Sequence, residues 1–429
     1  MSKINPFEPN APINPGMFVG RTPELDRLEA CLLQTRAQRS MSFMITGERG
    51  IGKTSLLSYI KYVATSSIPV NGQEIKFLVI DVDIEKSTTS FGLVKKIEIA
   101  LRRELGKTEK GRTFFSDAWQ FIKTIEAAGF KINSENHAEI SETFFEEFSY
   151  SLADTVKRIT ADQDQKGKLD ANYEGILILI DEADNASKDL DLGVFIKLTL
   201  ERLQKAGIRN LMFGLAGLPS LKKILYDSHP SSLRVLEDVE LNRLSDQEIK
   251  RVIMFCMEEA EKLNHEKFAF TADAEQAMID FSEGYPHFIQ QYGFCAFSKA
   301  ENTTITLDNV VAGAMGKKGA LELIGDRYYR NDFYNKIQGE GYREVLRIMA
   351  DYNNQWVTKA MIKSSFTGKP STLDNALHTL KERNIILSKE GEKGTYRLQD
   401  RGFAHWIKLY TNKESKEDTA LLDPNQPPF

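Results

Sequence analysis

Two hydrophobic periods alternate in the first half of the chain, and only one persists in the second. Leu25, Leu28, Leu32 and Leu33 share a helical face within 22–38, and Thr22-Pro23 supplies a cap and first turn. Ser42–Thr46 is a short apolar run, followed by a glycine-rich turn and a helical stretch over 54–64. Phe77–Val82, Ile176–Ile180 and Leu211–Ala216 repeat the same kind of run. Unbroken apolar strands alternating with helices predict an α/β fold whose parallel sheet is covered on both faces.

Residues 102–175 are polar and mixed, but Phe144, Phe145, Phe148, Leu152 and Val156 fall at helical spacing and predict an amphipathic helix. Beyond residue 241 the helical period dominates, over 246–263, 272–282, 288–300 and 307–324. Residues 341–410 predict helices over 342–350 and 358–364. A third follows from a capping box at Ser371-Thr372-Leu373-Asp374 to Arg383. Two short strands, 385–387 and 396–398, then flank a charged turn, which is a winged-helix plan. Prolines at 6, 9, 12 and 15 predict an extended arm over 1–16, and the polar tail 411–429 predicts disorder.

Composition narrows the class. The 429 residues are 41% hydrophobic and 27% charged with a net charge of −5, which fits a globular chain of several domains. Cys31, Cys256 and Cys295 are too far apart for a CxxC pair and odd in number, so they read as reduced thiols of a cytoplasmic protein. Met1–Gly16 has no apolar core, and the apolar run Ile176–Ile180 falls far short of the roughly 20 residues of a membrane span, so neither export nor membrane insertion is expected. Charge is uneven. Residues 341–410 carry twelve Lys and Arg against seven Asp and Glu, a net of +5, which leaves −10 elsewhere.

The chemistry is concentrated at Gly47-Glu48-Arg49-Gly50-Ile51-Gly52-Lys53-Thr54, a complete GxxxxGK[ST] followed by Ser55, set between a strand and a helix. Its glycines let successive N–H groups turn inward around an anion, and the helix start adds its positive end. Lys53 then reaches the β- and γ-phosphates of ATP, and the Thr54 hydroxyl is placed for Mg²⁺. Asp181-Glu182 emerges at the carboxyl end of the run 176–180, where ligand sites of open α/β sheets lie. Asp181 would hold Mg²⁺ through water and Glu182 would polarise the attacking water; the alternative is a helix cap. Asp181–Asp184 spells DEAD, but the companion helicase motifs are missing downstream.

Phe18-Val19-Gly20-Arg21 with Glu24-Leu25, the phosphate loop and the acidic pair together resemble the AAA+ and STAND-type ATPases, nearest the origin-recognition-like and archaeal-ATPase branches. The resemblance implies a P-loop ATPase core over 17–240, a helical lid over 241–340 and a winged helix over 341–410. It implies that Val19, Gly20 and Arg21 lie beside adenine, and that 211–218 is the sensor strand, here ending Ala216-Gly217 without the usual polar residue. Arg234 corresponds to an arginine finger acting on a neighbouring copy, its alternative being a surface residue paired with Glu237 or Asp238. Gly284-Tyr285-Pro286-His287 resembles the lid motif that senses nucleotide, and a helix start also explains the proline.

The resemblance further implies slow ATP turnover without a partner and homo-oligomers in the ATP state. Its winged helix would engage double-stranded DNA through Lys389, Lys393, Arg397 and Arg401, or, in a STAND-type signalling scaffold, dock a protein. Any effector is expected to be a separate chain.

Overall fold

The computed structural model describes residues 3–11, 18–127, 137–160, 172–337, 339–352, 354–383, 385–389, 391–399 and 401–411. The chain divides into two compact units, one over 12–242 and one formed by 1–11 with 243–429. Among the described residues no helix is long and apolar enough to cross a membrane.

The first unit is built on a five-stranded sheet: β1 (Ser42–Gly47), β2 (Phe77–Asp83), β3 (Gly175–Asp181), β4 (Leu211–Gly217) and β5 (Leu236–Leu241). Its order is β2-β3-β4-β1-β5, and every pairing is parallel. β1 and β4 are buried at every position and β3 at all but its last, as their unbroken apolar runs require when helices cover both faces. β5 was not legible as a strand: it alternates buried Leu236, Val239 and Leu241 with Glu237, Asp238 and Glu240, the pattern of an edge strand with one wet face. The amphipathic helix expected in the mixed region is His137–Thr160. Its Phe145 and Phe148 pack on Phe195, which packs in turn on Phe213 of β4. Two further helices, Glu109–Ala118 and Gln120–Ala127, fill the region ahead of it, and Trp119 between them is buried.

The second unit opens with helices Asp246–Asn264, Ala272–Ser282, Pro286–Lys299 and Leu307–Met315. Two short strands, β6 (Ala269–Phe270) and β7 (Thr304–Ile305), pair in parallel between them. The helix read over 307–324 is two: it stops at Gly316, Lys318 takes a positive φ, and Ala320–Ile324 starts afresh. Helices Glu340–Asp351, Lys359–Ser365 and Pro370–Glu382 follow, with a three-stranded antiparallel sheet of β8 (Val357–Thr358), β9 (Ile386–Ser388) and β10 (Thr395–Leu398) in the order β8-β10-β9. The third of these helices does not open on the expected capping box at Ser371. Pro370 occupies its first turn and Lys369 is its cap, because proline needs no N–H partner there. A last helix, Arg401–Tyr410, buries Phe403 and Trp406 and had no counterpart in the sequence reading.

The amino-terminal arm belongs to this unit. Residues 3–8 have no regular structure and a turn follows at Pro9-Asn10, so the expected uniform extension does not hold. Phe7 is 1% exposed and lies edge-on to Phe270. The Ile4 N–H donates to Asn264 Oδ1, and the Glu8 N–H to Gln290 Oε1. Residues 12–16 of the arm and the tail from 412 lie outside the described residues.

His287, in the first turn of helix Pro286–Lys299, packs among Phe288 and Tyr328, and its Nε2 is buried without a hydrogen-bond partner. Burial, with the Arg327 charge adding, lowers its pKa from 6.5 to about 4. The folded state therefore favours the neutral ring. That contribution is complete above pH 6.5 and is lost as the pH falls toward 4. His287→Phe should remove an acid-labile contribution on the order of 3 kcal/mol between pH 7 and pH 4, read from denaturant unfolding at the two values.

Candidate functional site

The phosphate loop joins β1 to the helix Lys53–Ala64. Gly50 and Gly52 take φ of 79° and 100°, a backbone region that costs an L side chain about 1–2 kcal/mol. Glycine there lets the loop close around an anion with the helix start at its floor. Lys53 Nζ donates to the carbonyls of Gly47 and Glu48 at 2.9 Å each, so the ammonium lies folded over the loop it belongs to. Burial lowers its pKa, opposed by the charges of Asp184, Asp181 and Glu182.

The acidic pair comes from the other side of β4. Sheet order places β4 between β1 and β3, yet the Thr54 hydroxyl donates to Asp181 Oδ2 at 2.9 Å across that gap. The same carboxylate accepts the Glu182 N–H through Oδ1 at 2.8 Å. Glu182 itself has φ 50°, a conformation uncommon for a non-glycine residue, and its Oε2 accepts from Asn185 Nδ2 at 3.0 Å. The turn thus swings the carboxylate off the strand axis and pins it. Among the described residues no group of three His, Cys, Asp or Glu side chains comes together to hold a metal. Thr54 with Asp181 is instead the sparse donor set that suits Mg²⁺ sharing its shell with phosphates and water.

Asp184, passed over in the sequence as the end of a helicase-like tetrad, proves to be structural to this edge. Its Oδ1 accepts the Leu218 N–H at 2.9 Å. A Cβ on Gly217 would stand 2.9 Å from that oxygen, which explains why the end of the sensor-like strand carries no side chain. The signal was in the sequence, an acidic residue one turn beyond Asp181 facing a glycine, but nothing local tied the two together.

Arg21 sits at the cap of helix Thr22–Arg36 with φ 64° and is 6% exposed. Its Nη2 donates to the Ile51 carbonyl at 3.4 Å and its Nη1 lies 3.6 Å from Glu24. The Val19-Gly20-Arg21 segment is therefore joined to the phosphate loop. Arg234 is exposed in a short 3-10 turn, Ser232–Val235. The carboxylates weighed as its partners are taken, Glu237 by Arg27 at 2.5 Å and Asp238 by Lys222 at 2.9 Å, and Arg234 has no ion pair among the described residues.

The remaining candidates belong to the second unit. Pro286 is the first residue of its helix, as a helix start requires, and His287 follows it. Lys389 and Lys393 lie on the β9–β10 turn, where Lys389 pairs with Glu392. Arg397 stacks 4.7 Å over the Trp356 ring, and Arg401 starts the last helix with its N–H bonded to Glu283. Both arginines line a cleft within the unit, Arg397 partly buried and Arg401 exposed.

Residues 17–213 match a family model described as the AAA ATPase domain. A comparison with curated proteins finds no match. Among solved structures, the chain is similar to the ORC2 protein of Aeropyrum pernix in its ADPNP–ADP complexes, at 12% identity over 91% of this chain and 92% of that one, with a TM-score of 0.53. Cdc6p of Pyrobaculum aerophilum matches at 13% identity over 92% of this chain and 98% of that one, with a TM-score of 0.42. The first likeness establishes a shared fold. Residues 17–213 thus match an AAA ATPase domain, in a chain that shares the fold of the Aeropyrum pernix ORC2 protein.

Proposed function

We propose that the chain is an ATP-binding and ATP-hydrolysing switch whose nucleotide state controls assembly with copies of itself and engagement of double-stranded DNA. The observation that carries this reading is the contact of Thr54 with Asp181 beside a Lys53 folded over its own loop. In that arrangement ATP would take the loop N–H groups as phosphate ligands and draw the Lys53 ammonium from the carbonyls of Gly47 and Glu48 to its β- and γ-phosphates. Mg²⁺, held by Thr54 and Asp181, would neutralise charge on the phosphate oxygens. Glu182, held by Asn185, would accept a proton from the attacking water and so orient it for in-line attack. The similarity to a protein solved with ADPNP and ADP supports the nucleotide assignment.

Self-assembly is supported by Arg234, an exposed guanidinium with no partner among the described residues, in the position from which an arginine finger would reach a neighbour's nucleotide. DNA engagement is supported by the +5 charge of residues 341–410, which we read as a winged helix, with Lys389 and Lys393 at its tip as backbone contacts. One observation favours a second reading, a STAND-type scaffold docking a protein partner. The outer face of helix Pro370–Glu382 is poorly armed for phosphates, since its Asp374 pairs with Lys359 and its His378 faces Glu382.

Steady-state phosphate release, measured with and without duplex DNA, separates the readings. Glu182→Gln should lower turnover about 100-fold or more. DNA should stimulate the unmodified chain, and Lys389→Gln with Lys393→Gln should weaken that stimulation. A slow rate indifferent to DNA would select the protein-docking scaffold, and unchanged turnover in Glu182→Gln would refute its role.

A further inference from the structure

The second unit has a polar cavity of about 360 Å³, open to solvent, that the nucleotide reading does not use. Arg243, Arg397, Arg401, Asn354 and Glu283 line it. Asp246 and Asp280 also line it, and each of these carboxylates, with that of Glu283, has local support. Glu283 pairs with Arg243 at 3.2 Å and accepts the Arg401 N–H, and Asp280 accepts from Gln276 at 3.3 Å. Asp246 sits in the first turn of its helix, at the positive end.

Two groups of its lining residues are unsatisfied. Arg397 Nε and Asn354 Oδ1 are both buried without a hydrogen-bond partner. Neither Arg397 nor Arg401 has an ion pair among the described residues, although Arg397 is held in place by its stacking on Trp356. A buried guanidinium nitrogen left bare costs more than a neutral group, and native structures seldom leave one so. Water would satisfy Asn354 but would bring no charge to the partly buried Arg397 guanidinium. A tetrahedral anion answers both, because its several oxygens accept from two forks arriving from different elements, β10 and the start of helix Arg401–Tyr410. The volume exceeds a bare phosphate and lies at the small end of ligand sites.

We propose that this cavity is a binding site for a small phosphoryl-bearing anion, of the size of pyrophosphate or a phosphomonoester. Arg397 and Arg401 grip its oxygens, and Asn354 accepts from a protonated oxygen or hydroxyl of the ligand. The site is independent of the phosphate loop, and its occupant would bridge the β10 hairpin to the segment carrying Arg243, ahead of helix Asp246–Asn264, and to Glu283, just past helix Ala272–Ser282.

The test is a titration with inorganic pyrophosphate followed by tryptophan emission, in the Lys53→Ala chain so that the phosphate loop does not contribute. Trp356→Phe in that background is the blank. A saturable change absent from the blank is expected, with affinity lowered about tenfold or more by Arg397→Gln, Arg401→Gln or Asn354→Asp. Asn354→Asp keeps a side chain that tolerates the positive φ of 61° and adds a repelling charge, so it reads the site even where an arginine variant fails to fold. No saturable change, or one that none of the three substitutions alters, would overturn the proposal. Displacement of pyrophosphate by a short DNA duplex would overturn its assignment to a small free ligand.

Discussion

One hydrogen bond sets the geometry of the nucleotide edge: the Thr54 hydroxyl to Asp181 Oδ2, 127 residues apart in the chain. It spans the position of β4, which is inserted between β1 and β3, at the carboxyl ends of the strands, where open α/β sheets place their ligands. Each neighbouring feature serves that edge. The positive φ values of Gly50 and Gly52 close the loop, and the left-handed turn at Glu182 aims a second carboxylate beside the first. Asp184 clasps the Leu218 N–H and fixes the end of β4 against them.

The electrostatics of this edge are balanced in anticipation of a ligand. Burial disfavours the Lys53 ammonium, and Asp184, Asp181 and Glu182 hold it charged. On the proposed reading, a polyphosphate would supply the charge that Lys53 and the loop N–H groups lack, and a cation held by Thr54 and Asp181 would relieve the carboxylates. Polar groups gathered at one edge in this way stabilise the empty protein little, and their arrangement has meaning mainly with substrate present.

Much of the fold was legible because its strongest signals are local. The runs forming β1 to β4 are continuous and apolar, and the phosphate loop states its chemistry within eight residues. What escaped depends on distant partners. β5 alternates with charged residues and becomes a strand only through its register with Ser42–Gly47, 194 residues away. Helix Arg401–Tyr410 follows a polar turn, and its Trp406 is explained by Tyr329 and Phe333, rings no local window contains. Asp184 carried only a helicase-like association in the sequence, and its hydrogen-bond partner is a backbone N–H after β4. Arg397 and Arg401 read as candidate contacts for DNA or a partner; in the fold both line a cleft, Arg397 partly buried and Arg401 exposed.

The two arginine placements now carry different weight. Arg234 is exposed and free of both carboxylates nearest it in sequence, so its charge is available to a second molecule. Arg397 is stacked and half-buried, so its charge is committed within its own unit. The claim on which the rest stands is that loop, lysine and acidic pair form one Mg²⁺–ATP site. Isothermal calorimetry of ATP with Mg²⁺ on the unmodified chain and on Lys53→Ala tests it most directly. The account predicts saturable one-to-one binding that weakens about 100-fold or more when the ammonium is removed. Equal affinity in both proteins would contradict it.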